Sequence, residues 1–135
     1  MKFPNLALTT IFLALSSAAF AASDIQWTFN NNGSIDYTLT SVSSTEAYDG
    51  PIPANDPTMN LVIGKRYGVS VVNFGAHPFE VLAKGSSVTE DVVLLSMSAN
   101  GSMEGNAGVN WTDDGNGNVE FTMTQDLYNA MTQSG

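Results

Sequence analysis

One imidazole dominates the chemistry open to this chain. His77 is the only histidine, and there is no cysteine. Cysteine catalysis, iron–sulfur clusters and thiolate metal sites are therefore excluded within the 135 residues. Imidazole is a good ligand for copper, zinc and iron, and thioethers suit Cu(I). Of the later methionines, Met123 alternates with Phe121 and Val119 as a core residue does, and Met131 lies on the apolar face of a helical pattern. Met103, in a Gly/Ser/Asn-rich stretch, is the thioether to weigh as a weak second ligand. Asp114, Asn116, Asn118 and Glu120 have the alternating oxygens of a calcium loop. Val119 and Gln125 stand where such a loop needs Gly and Glu, so the segment reads as a hairpin turn. No G-x-S-x-G elbow, P-loop or HExxH motif is present, and the chain is not expected to be an enzyme.

The elements around His77 read as strands. Tyr67–Asn73 and Pro78–Leu82 carry Val69, Val71, Val72, Phe79, Val81 and Leu82, with Phe74-Gly75-Ala76-His77 between them. Gly64 and Gly75 supply backbone freedom at the turns on either side. Upstream, Ile25–Phe29 alternates Ile25, Trp27 and Phe29 against Gln26 and Thr28, and Ile35–Val42 places Ile35, Tyr37 and Leu39 on one face. Asn30 to Ser34 reads as the turn between them. Ser43 to Pro57, with three prolines, reads as a loop crossing between sheets, and Met59–Ile63 as a strand. Downstream, Val92–Leu95, Val109–Thr112 and Asn118–Thr124 are strand-like. Gln125–Met131 is the single helical candidate, with Leu127, Ala130 and Met131 on one face and Asp126 in its first turn. Many short strands, Gly/Asn/Pro turns and little helix predict an all-β sandwich with one short helix near the C-terminus.

Asp56-Pro57-Thr58, Leu61-Val62-Ile63-Gly64-Lys65-Arg66-Tyr67 and Val72-Asn73-Phe74-Gly75-Ala76-His77-Pro78-Phe79 together resemble the cupredoxins, the small blue-copper proteins of the plastocyanin and azurin kind. The resemblance spans roughly Ile35 to Met131. It implies a Greek-key sandwich, with His77 as the first copper ligand and Asn73 bracing the ligand loop by hydrogen bonds. The family's other ligands, a Cys, a second His and usually a Met, come close to its C-terminus, after the helix. None has a counterpart here, so residues 22–135 are expected to form a cupredoxin-like domain lacking its last strand, with copper held only in the complete protein.

The first 21 residues read as a secretory signal peptide. Lys2 precedes the apolar run Leu6–Leu15, and Ala19-Phe20-Ala21 fits the cleavage rule. The expected location is a periplasm or the cell exterior. Loss of Lys2 with the leader takes the formal charge from −9 to −10, with Lys65, Arg66 and Lys84 facing 13 acidic residues. That balance disfavours nucleic acid and anionic membranes, and it keeps an exported protein soluble. No later stretch approaches a membrane span. The expected function is copper binding and one-electron transfer by a monomer that meets a redox protein partner. Two alternatives stand beside it. One is a metal-free module with the same fold that binds a partner; the other is a copper chaperone using His77 with Met103.

Overall fold

A computed structural model describes residues 22–132. The signal peptide expected at residues 1–21 lies outside them. The chain is mostly β, with strands β1 (Ile25–Asn31), β2 (Tyr37–Val42), β3 (Ala54–Asn55), β4 (Arg66–Val72), β5 (Glu80–Ala83), β6 (Val92–Ser96), β7 (Thr112–Asp113) and β8 (Asn118–Thr122), followed by helix α1 (Gln125–Thr132). Six strands form one sheet in the order β3-β2-β1-β4-β8-β7, and β5 pairs with β6 in a second. All pairings are antiparallel except β1 with β4, which run parallel.

The period-2 pattern explains the inner face. Ile25, Trp27 and Phe29 are buried on β1, beside Tyr67, Val69 and Val71 of β4. Val119 and Phe121 of β8 continue the row, opposite Val69 and Tyr67. Trp27 lies 5.0 Å from Tyr67, and Tyr67 stacks on Phe121 at 5.6 Å, in the range where aromatic pairs attract beyond their buried area. Val81, Ala83, Leu94 and Leu95 of the small sheet join the same core, so two sheets share one apolar interior, consistent with a β-sandwich. Helix α1 packs against β5 and β6 through buried Leu127, with Ala130 and Met131 beside it. Its start is capped by Thr124, whose Oγ1 accepts from Leu127 N at 3.1 Å.

Several sequence expectations need correcting. Strand β1 runs on to Asn31 instead of ending before the asparagine cluster. Ile35 is 79% exposed and precedes β2, because the chain is still turning there: Ile35 N donates to Asn32 O at 3.2 Å. The Ser43–Pro57 segment does not cross between sheets. Its β3 pairs with β2, and the chain returns to β4 of the same sheet. Met59–Ile63 is not a strand, for its backbone bonds go elsewhere: Asn60 N to Ala47 O and Val62 N to the Tyr67 hydroxyl. Met59 and Leu61 pack on the core all the same. The strand expected at Val109–Thr112 is confined to Thr112–Asp113, although Thr122 N still reaches Val109 O at 2.8 Å.

Candidate functional site

The His77 loop leaves β4 through a left-handed residue. Asn73 has φ 62°, and Ala76 N donates to Asn73 O at 3.1 Å, closing the turn. Asparagine tolerates this region better than other side chains do. The sequence assigned the conformational freedom here to Gly75, but Asn73 carries it; Gly64, with φ 92°, takes the role expected of it. Val71 N then donates to Gly117 O, tying the end of β4 to the β7–β8 hairpin.

A buried amide fixes the loop from below. Asn31 is 6% exposed, and its Nδ2 donates to Asn73 O at 3.0 Å and to His77 O at 2.7 Å. Both partners are carbonyls, so the amide orientation is set by chemistry. One side chain thus holds the two ends of the Asn73–His77 turn. The resemblance implied that Asn73 braces the loop; the side-chain bonds across this turn come from Asn31, and Asn73 contributes its main chain: an unusual φ and an acceptor for two donors.

Tyr37 covers the imidazole. The two rings are 4.1 Å apart at 33°, and the phenol donates to Pro78 O at 2.6 Å. Burial, then the charges of Glu80 and Asp56, push the phenol up to about 12. Tyr37 therefore remains a donor throughout the physiological range. The sign for stability follows from linkage. The folded-state value lies above the ordinary 10, so the contribution is whole below pH 10 and is lost as pH rises through about 12. Thermal melts should show a loss of stability beginning above pH 10 that is smaller in Tyr37→Phe.

His77 itself is half-buried, and its Nδ1 is buried with no hydrogen-bond partner among the described residues. A neutral imidazole carries a lone pair on one of its two nitrogens, which can accept a hydrogen bond or ligate a metal. The described residues contain no group of three or more His, Cys, Asp or Glu placed to hold a metal ion. Met103 packs against the core on the segment after β6, with its N donating to Leu94 O at 2.9 Å. Met97 is the methionine linked to the start of β5, through Met97 N to Phe79 O at 3.1 Å. Asp114 binds its own turn: Oδ1 accepts from Asn116 N and Asn118 N, and Oδ2 from Asn118 Nδ2, as the hairpin reading expected.

Sequence reasoning missed Asn31 and Tyr37. Asn31 did leave a signal, since it continues the buried phase Ile25, Trp27, Phe29 with a polar residue. A polar group in that phase must find partners. No family model, curated protein or solved structure matches this chain.

Proposed function

We propose that this domain is a cupredoxin-like scaffold with Greek-key connections, exported, whose complete form holds one copper ion and passes single electrons to a protein partner. The observation that carries the reading is the Nδ1 of His77, buried and unpaired on a loop fixed by Asn31 and covered by Tyr37. A ligand held this firmly suits a metal that must change charge with little movement around it. The fit is partial: residues 22–132 offer one imidazole, so the reading requires a thiolate, a second imidazole and a weak axial donor from elsewhere. When bound, copper would supply the Cu(I)/Cu(II) couple. The chain's own part is to orient the imidazole through the His77 carbonyl and the Tyr37 ring.

The test is the visible spectrum of the complete reading frame expressed with copper. A strong thiolate-to-copper band is expected, and His77→Ala should abolish it and cut copper content at least tenfold. A colourless, copper-free protein would sink the proposal. The metal-free module, the same fold presenting its loops to a partner, is the second reading. It expects His77→Ala to leave function unchanged.

A further inference from the structure

A concavity lies beside the His77 loop, between the two sheets. It has a volume of ≈ 290 Å³ and is lined by Phe29, Tyr37, Asp56, Pro57, Phe79 and Glu80. Its makeup is unusual in a precise chemical sense. Three aromatic rings come from β1, β2 and the segment before β5, and Phe29 meets Tyr37 edge-on at 5.8 Å. Two carboxylates stand with them. Asp56 Oδ1 accepts from Tyr37 N at 3.0 Å, while Glu80 Oε1 accepts from Ser96 Oγ at 2.7 Å and Ser98 Oγ at 3.2 Å. These bonds fix both carboxylates in place and engage one oxygen of each.

Among the described residues, no basic side chain lines the cavity. Arg66 is paired with Glu120, and Lys84 with Asp91. Asp56 and Glu80 line the same concavity as the three rings, so their negative charges face one space. Aromatic faces attract cations, and they do so more strongly beside carboxylates and away from water.

We propose that this cavity binds a small organic ammonium ion, with the charged nitrogen between Asp56 and Glu80 and the apolar body against Phe29, Tyr37 and Phe79. The volume is at the low end for ligand sites, which limits the ligand to about a single ring or a short alkyl chain. A neutral molecule of the same shape gains the rings but not the charges. The site shares Tyr37 with the cover over His77, but it needs no metal, so its binding is read on copper-free protein separately from the proposed electron-transfer role.

The experiment is NMR titration of the protein, without added copper, with 2-phenylethylammonium and with its neutral isostere 2-phenylethanol. Saturable shifts in the ring resonances of Phe29, Tyr37 and Phe79 are expected, with the ammonium bound about tenfold more tightly than the alcohol. Asp56→Asn and Glu80→Gln keep the acceptor oxygens that make the internal hydrogen bonds, so both variants should fold. Each should weaken the ammonium about fivefold at low salt and leave the alcohol unchanged. Equal affinity for the two probes, no binding of the ammonium, or ammonium binding indifferent to both amide variants would each overturn the proposal.

Discussion

Gly117→Ala is expected to destabilise the domain by about 3 kcal/mol, more than any exposed substitution, and to loosen the His77 loop although it lies 40 residues downstream in sequence. Two causes add. Gly117 has φ 88°, a region in which an alanine costs about 1–2 kcal/mol. A Cβ there would also meet Val71 O at 2.6 Å and Phe74 Cδ1 at 2.7 Å. Val71 O is backbone and cannot swing aside, while Phe74 sits in the turn that leads to His77, so relief of the clash moves that turn. The carbonyl of Gly117 also accepts from Val71 N, and that bond would stretch. Gly115, in the same hairpin, is the control. Its φ is 71°, but nothing lies within 4 Å of an added Cβ, so Gly115→Ala should show only the backbone cost. Chemical denaturation of the two variants separates the terms. A Gly117→Ala protein no less stable than Gly115→Ala would refute the packing role.

The comparison between these two glycines shows where sequence reading stops. The hairpin, with its Asp-Gly and Asn-Gly pairs, was legible from residue types alone, because positive φ is a local demand. That Gly117 also presses on the His77 loop was not legible, since it depends on β8 pairing with β4. The alternation of Ile25, Trp27 and Phe29 announced β1, but nothing local announces that β1 lies parallel to β4, and that pairing decides what β1 can reach. Met59–Ile63 misled for the opposite reason. It holds enough apolar residues for a strand, and Met59 and Leu61 do reach the core, yet the Tyr67 hydroxyl and Ala47 claim its backbone groups. His77 was identifiable by being the sole imidazole; what surrounds it was not, because Tyr37 and Asn31 stand 40 and 46 residues earlier.

Parallel pairing also gives the second large effect. The register sets Asn30 of β1 opposite Val72 of β4, so the next residue, Asn31, emerges where β4 gives way to the Asn73–His77 turn. Its side chain points inward with the apolar phase of the strand, and the amide meets two carbonyls that have left the sheet. Asn31→Ala removes both bonds and leaves a void beside them, for an expected loss of about 2–3 kcal/mol. Asn31→Asp is the sharper variant. A carboxylate cannot donate, so it would face the Asn73 and His77 carbonyls as a buried charge, and at pH 7 the loss should exceed that of alanine. Protonation restores one donor. Burial and the two carbonyls would raise the folded-state pKa of the new acid above its unfolded value, so its neutral form supports the fold at low pH, and that support fades as pH rises through the folded value. Relative to the parent protein, Asn31→Asp should therefore recover stability between pH 7 and pH 4, whereas Asn31→Ala should follow the parent curve at a constant offset. Melting curves across that range decide it, and parallel curves for all three proteins would show that the amide does not hold the loop.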